Sequence, residues 1–74
     1  MSQLPTYLAF DQHGVRWHAE LISEDYPMEV FLSTAGHGVR GRIVEFRPQE
    51  RRMDVKFLGS EQVDLKLVLD DVVR

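Results

Sequence analysis

Apolar and polar residues alternate with a period of two in several short segments of this chain. Residues 15–22 show the pattern most clearly, because apolar and polar side chains exchange at nearly every step. Successive side chains of a β-strand point to opposite faces, so this alternation is typical of a strand with one buried face. Similar patterns at residues 7–10, 28–33 and 63–69 predict further strands, separated by short links rich in Gly, Pro, Asp and Ser.

The centre of the chain has the pattern of an antiparallel hairpin. Two runs rich in β-branched and aromatic residues, at 39–46 and 53–58, flank a polar, proline-containing link of about six residues. The alternation changes phase after Ile43. We therefore predict a β-bulge near Ile43 and Val44, which would bring Val44 and Phe46 to the core side of the strand.

The last segment admits two interpretations. Residues 63–69 alternate as a strand does, although a helical stripe of Leu and Val residues is the alternative. We favour the strand and read residues 70–73 as a short turn. Five or six short strands with short links predict an all-β fold, a small SH3-like or Sm-like barrel that spans residues 1–74 as a single domain. Closure would cover the edges that a flat sheet of this size leaves exposed.

Composition adds limits on size and location. A chain of 74 residues that is 43% hydrophobic and 28% charged is typical of a folded domain. It contains no cysteine, which excludes disulfides and thiolate metal sites. No apolar run approaches the roughly 20 residues of a membrane span, and the first residues lack the basic and apolar regions of a signal peptide. We predict a cytoplasmic protein with no membrane partner.

Charge is segregated along the chain. The net charge is −4 over residues 1–38, +3 over residues 39–60 and −2 over residues 61–74. A cluster of cations on one hairpin is typical of a surface that binds RNA or DNA. Carboxylates in the same segment favour the alternative, a solvated sheet face with cross-strand ion pairs. The candidate binding cations are Arg40, Arg42, Arg47, Arg51, Arg52 and Lys56.

The segment 41–73 resembles the central hairpin and closing strand of SH3-like barrels of the Tudor and KOW type. The shared pattern is a glycine, alternating apolar residues, a hairpin link, a V-x-F element, a glycine turn and a final apolar strand ending in an acidic–aliphatic pair. The matching residues are Gly41, Ile43, Val55, Phe57, Gly59, Leu65, Leu67, Asp71 and Val72. The resemblance implies a barrel that binds RNA, DNA, methylated side chains or other proteins.

Recognition of a methylated cation would require several aromatic rings that converge on it. The candidate aromatic contacts are Trp17, Tyr26 and Phe46, with Phe31 as a further ring. Packing of these rings in the hydrophobic core is the alternative, and the sequence does not place them together.

Two literal motif matches do not fit the chemistry of the sites they usually mark. Residues 36–41 read GxGxxG, but these glycines lead into a strand, whereas a dinucleotide site needs them at the start of a helix. Residues 47–51 read RxxxR, the arginine pair with which PilZ-type domains hold a cyclic dinucleotide, but the second half of that motif is absent. The three histidines are scattered, and no arrangement of a nucleophile with a base can be read from the sequence. We predict no catalytic residues, no metal and no cofactor.

These observations predict a non-catalytic interaction module, a regulatory or adaptor protein that binds a protein partner. The alternative is a small barrel that binds RNA or DNA through the basic hairpin 40–56. We also predict a homodimer through an edge strand, because an open strand edge in so short a chain can pair with a copy of itself.

Overall fold

A computed structural model describes residues 4–73, and the side chains of residues 4–70. Each strand pairs antiparallel with the next, and the first pairs with the last, so the sheet closes into a six-stranded barrel. The all-β small-barrel prediction is confirmed. The elements in order are β1 (Thr6–Phe10), β2 (Arg16–Leu21), β3 (Glu29–Thr34), β4 (His37–Arg47), a 3-10 helix (Pro48–Glu50), β5 (Arg52–Phe57) and β6 (Leu65–Val73).

Apolar side chains from every strand fill the interior of the barrel, alternating with residues on the outer face. Fully burying one such side chain stabilises the fold by about 1.5–3 kcal/mol. The largest fully buried side chains are Val30, Leu32, Met53, Val55 and Leu67.

Closure of the barrel also bears on self-association. Because β1 pairs with β6, each strand within residues 4–73 has a neighbour on both sides for at least part of its length. A homodimer through an edge strand stays a prediction, and no strand in this part of the chain is left unpaired along one whole side to support it.

The bulge predicted in the central hairpin is confirmed. Ile43 lies opposite Val55 and Glu45 lies opposite Asp54, so Val44 is the extra residue of β4. Phe46 returns to the core side and packs there against buried residues. The prediction that Val44 would also be buried is wrong: its side chain is 53% exposed, because the extra residue of a bulge is left out of the pairing.

The turn predicted at residues 70–73 is also wrong, because β6 continues as a strand to Val73. The strand interpretation of the tail is confirmed over the helical one. The register between β6 and β1 shifts between Leu8 and Ala9, and Asp70 is the extra residue. Two neighbouring aspartates break the alternation, and a bulge accommodates one of them without ending the strand.

Side chains complete the backbone pairing where β6 begins. Gln12, in the β1–β2 link, donates a hydrogen bond from Nε2 to the carbonyl of Asp64 and accepts one at Oε1 from the backbone N–H of Lys66, both at 2.9 Å. The carboxylate of Asp64 in turn accepts a hydrogen bond from the backbone N–H of Phe57 at 2.8 Å. These contacts hold the β1–β2 and β5–β6 links together.

A tight turn joins β3 to β4. Thr34 pairs with His37, and the two residues between them both have positive φ, 44° at Ala35 and 83° at Gly36. Positive φ at both central residues defines the type I′ hairpin turn, which prefers Asn followed by Gly. Alanine is strained at the first position, because its Cβ is crowded in the left-handed region.

The Ala35→Asn variant is expected to raise the free energy of unfolding by about 0.5–1 kcal/mol, since Asn tolerates positive φ better than Ala. Urea denaturation followed by circular dichroism measures the change. Gln49→Asn, at an exposed position without positive φ, is the matched control and should leave stability unchanged. A loss of stability in Ala35→Asn would contradict the turn geometry.

Candidate functional site

The outer face of β4 and β5 carries most of the cations that the sequence marks as candidate binding residues. Arg42 lies directly opposite Lys56, and Arg47 lies directly opposite Arg52. Arg40 projects from the same face of β4 as Arg42, because the residue between them is buried. The fold therefore brings these five cations onto one pair of strands.

Two of the three arginines at the end of the hairpin, Arg47 and Arg52, form ion pairs with acidic residues on their own chain segment. Arg47 Nε lies 2.6 Å from Glu45 Oε1, and Arg47 Nη1 lies 3.3 Å from Glu50 Oε2. These hydrogen bonds raise the pKa of Arg47 above its ordinary value, Glu45 having the larger effect. Arg52 Nη2 lies 3.4 Å from Asp54 Oδ2. The end of the hairpin is therefore a mixed cluster, in which each of these two arginines has a carboxylate beside it.

Among the described side chains, three of the six candidate cations form an ion pair and three do not. The third paired cation is Arg40, whose Nε lies 2.9 Å from Glu29 Oε1 on β3. Arg42, Arg51 and Lys56 form no ion pair with any side chain of residues 4–70. Arg51 lies in the link between β4 and β5, so the unpaired cations divide between the hairpin end and the Arg42–Lys56 pair.

The structure does not bring the candidate aromatic residues together. Trp17 is half-buried and donates a hydrogen bond from Nε1 to Asp11 Oδ2 at 2.9 Å. Phe46 packs edge-on against Tyr7, with ring centroids 5.8 Å apart. Tyr26 projects from the β2–β3 link and is 94% exposed. Trp17 and Phe46 therefore pack against the core, and Tyr26 stands apart from both.

A shallow groove on the outer face of β2, β3 and the β3–β4 turn is a second candidate site, and residues 36–38 of the GxGxxG match lie in its lining. Its volume is about 440 Å³. Two small residues of its lining, Ser33 and Gly38, lie directly opposite each other on β3 and β4. The lining includes Arg16, His18, Phe31, Ser33, His37 and Gly38.

Phe31 forms one wall of the groove and is 40% exposed. Its ring lies directly over Gly38, since a Cβ atom at that glycine would be 2.5 Å from Phe31 Cζ. A glycine at this position therefore allows the ring to lie against the sheet beside the groove. The sequence offers one signal for this arrangement, because Phe31 is apolar at an outward position between the inward Val30 and Leu32.

Arg16 lies at the other end of the groove. Its guanidinium carbon is 5.4 Å from the centroid of the Phe10 ring on β1, within the range of a cation–π contact. Its backbone carbonyl accepts a hydrogen bond from Thr34 Oγ1 at 2.6 Å, which ties β2 to the end of β3. Arg16 forms no ion pair within the described part of the chain, so its N–H groups remain available to a ligand.

The charged and titratable side chains in the groove lining are all basic: Arg16, His18 and His37. Glu20 projects from the same strand but lies opposite Phe31, beyond the groove wall. No three His, Asp or Glu side chains within residues 4–70 converge closely enough to hold a metal ion. The groove therefore offers hydrogen-bond donors beside an aromatic surface. Donors of this kind can bind a carboxylate.

None of the helical residues in the described range 4–73 forms a segment long and apolar enough to cross a membrane. Comparison of the chain with protein-family models, with curated proteins and with solved structures gives no match in any of the three. The function is therefore inferred from the geometry of the groove and of the basic hairpin.

Proposed function

We propose that this chain is a non-catalytic interaction module, a regulatory or adaptor protein that binds a protein partner through the groove. The observation that carries the proposal is an exposed aromatic ring, Phe31, and an arginine without an ion-pair partner, Arg16, on the walls of one groove. Aromatic residues and arginine contribute most of the binding energy in protein interfaces.

The shape of the site also supports this function. The groove is open along the sheet, whereas sites for small substrates are usually clefts that enclose most of the ligand. The hydroxyl of Thr34 is already bonded to the backbone of Arg16, and no carboxylate lines the groove to orient His18 or His37 as a base. We propose that the chain binds its partner without catalysis and acts in the cytoplasm. Cytosolic proteins rarely contain disulfides, so a chain without cysteine is compatible with that compartment.

The resemblance to Tudor and KOW barrels agrees with a binding role and does not favour one partner class over another. Binding of RNA or DNA is the second candidate function. Its support is the pair of facing cations, Arg42 and Lys56, together with the exposed Arg51. If these residues bind a polyanion, the chain is retained on heparin at low salt, and the double variant Arg42→Glu, Lys56→Glu loses that retention. Elution of the unaltered chain without retention would remove this candidate.

The groove proposal is tested by selecting peptides from an unbiased display library on the unaltered chain. We expect the selected peptides to lose at least about tenfold in affinity for Phe31→Ala, because the exposed ring is the main apolar contact of the groove. Val44→Ala is the matched control, since Val44 is an exposed apolar residue on a different part of the barrel. Selected peptides that bind Phe31→Ala and the unaltered chain equally well would contradict the proposal, as would a library that yields no peptides.

A further inference from the structure

We propose that the segment bound in the groove is an extended acidic peptide with one aromatic residue, whose ring packs on Phe31 and whose carboxylate pairs with Arg16. The inference rests on the proposed function, that the groove binds a protein partner. It adds the chemistry of that partner and the spacing of its two anchoring residues.

The charge distribution favours an acidic segment. The chain has a net charge of −3, so most of its surface does not attract an acidic peptide. On the β4–β5 face, Arg40, Arg47 and Arg52 already have carboxylates beside them, and Arg42 and Lys56 are the cations of that face that have none among the described side chains. The groove differs because all of its charged and titratable side chains are basic and no carboxylate lines it. Complementary charge selects the orientation and position of a partner more than it adds raw affinity.

Arg16 is suited to bind a carboxylate. Its contact with the Phe10 ring holds the guanidinium on the β1 side of the groove before any ligand arrives, which reduces the conformational entropy lost on binding. A guanidinium presents its N–H groups in a planar fork that matches the two oxygens of a carboxylate. The imidazoles of His18 and His37 add N–H donors along the groove.

The register of the strands sets the distance between the two anchors. His18 lies opposite Ser33, so continuing this register by two residues places Arg16 beside residue 35, in the turn that follows β3. Phe31 lies four residues before that position, and at about 3.3 Å per residue the two backbone positions are at most roughly 13 Å apart. An extended peptide covers this distance in about four residues, and its residues i, i+2 and i+4 point to the same side. An aromatic residue at i and an acidic residue at i+4 would therefore reach Phe31 and Arg16, with i+2 facing Ser33.

Fluorescein-labelled peptides test this spacing by fluorescence anisotropy. The probe contains the core YSESE, with tyrosine and the distal glutamate four residues apart. The spacing control, YEESS, has the same composition, and the charge control, YSKSK, replaces both glutamates with lysine. We expect YSESE to bind the unaltered chain at least about tenfold more tightly than YSKSK, and several-fold more tightly than YEESS.

Arg16→Glu is expected to weaken YSESE binding at least about tenfold, and Arg16→Gln, which removes the charge without reversing it, at least about threefold. Arg42→Glu makes the same change in net charge at an exposed cation outside the groove and should leave the affinity within about twofold. Thermal unfolding of each variant establishes that it is folded.

Several outcomes overturn the inference. Equal losses in Arg16→Glu and Arg42→Glu would show that only net charge matters. Equal binding of YSESE and YSKSK would show that the groove does not select acidic residues, and displacement of YSESE by an oligonucleotide would assign the Arg16 site to nucleic acid. If library peptides depend on Phe31 but carry no excess of acidic residues, the partner chemistry is wrong and the proposed function stands. If the binding of no library peptide depends on Phe31, both the partner chemistry and the proposed function are wrong.

Discussion

Replacing Asp11 with alanine is expected to lower the free energy of unfolding by about 2–4 kcal/mol, the largest effect on stability that we expect from a single substitution. Asp11 lies in the β1–β2 link and is only 8% exposed. Its Oδ1 accepts hydrogen bonds from the backbone N–H groups of His13 at 2.8 Å and Val15 at 3.0 Å, and its Oδ2 accepts one from Trp17 Nε1 at 2.9 Å.

Alanine at this position would leave these three donors without their acceptor. A buried donor that loses its partner costs about 1–3 kcal/mol, and hydrogen bonds to charged groups lie at the upper end of the range. The total stability of a 74-residue domain is only about 4–11 kcal/mol, so the loss is a large fraction of it. Chemical denaturation followed by Trp17 fluorescence measures the change.

Asp25→Ala is the matched control for Asp11→Ala. Asp25 is an exposed aspartate in a link, and its contacts with Ser23 are made by its backbone, which the substitution leaves in place. We expect a change within about 0.5 kcal/mol. Equal effects of the two substitutions would contradict the structural role of the Asp11 carboxylate.

The stability that Asp11 contributes should depend on pH. Burial raises the pKa of the Asp11 carboxyl, but the hydrogen bonds from Trp17, Val15 and His13 outweigh burial, and the net pKa is lowered. A carboxyl with a lowered pKa in the folded state contributes stability above its unfolded pKa of about 3.9 and loses it as the pH falls through the folded pKa. The difference in unfolding free energy between the unaltered chain and Asp11→Ala should therefore narrow below about pH 4. A difference that widens on acidification would contradict the assignment.

Gly41→Ala is expected to cost about 1–3 kcal/mol, the second large effect on stability. Gly41 is buried in β4, and a Cβ atom there would lie 2.6 Å from Val55 Cγ1 and 3.0 Å from the carbonyl oxygen of Lys56. Both contacts belong to β5, which pairs with β4 along this stretch. The strands would have to separate locally to accept the methyl group.

Gly38→Ala is the matched control for Gly41→Ala, because it also replaces a glycine of β4 but brings the new methyl group near no backbone atom of a neighbouring strand. A Cβ atom at Gly38 would meet only the ring of Phe31, which is 40% exposed and can move aside. We expect a stability change of less than about 1 kcal/mol, accompanied by weaker binding of groove peptides because the ring is displaced. Comparable losses of stability in Gly41→Ala and Gly38→Ala would contradict the packing described for β4.

Local pattern was sufficient to predict the strands and the class of fold. Alternation identifies a strand because burial on one face requires it, and this holds for β2 and β3 almost residue by residue. The phase change after Ile43 predicted the bulge, although it could not show that Val44 is the residue left outside. The same reasoning failed at residues 70–73, because two polar residues in succession are equally consistent with a turn and with a bulge.

The candidate site depended on information that local pattern does not contain. The sequence places six cations close together, and the ion pairs of Arg47 and Arg52 with carboxylates two residues away are local. Register between strands decides that Arg40 pairs with Glu29 and that Arg42 faces Lys56. The groove arises from the pairing of β2, β3 and β4, which brings residues 16 and 31 to one surface. Pairing between segments distant in sequence is set by the whole sheet, and a single segment does not specify it.

The central claim, that the groove is the binding surface of this barrel, is tested most directly by nuclear magnetic resonance. The tightest peptide from the unbiased library is titrated into ¹⁵N-labelled chain while backbone amide shifts are recorded. We expect the largest shifts at residues of the groove, among them His18, Phe31, Ser33 and His37, and small shifts at Arg42 and Lys56. Largest shifts along the outer face of β4 and β5, with the groove residues unchanged, would contradict it.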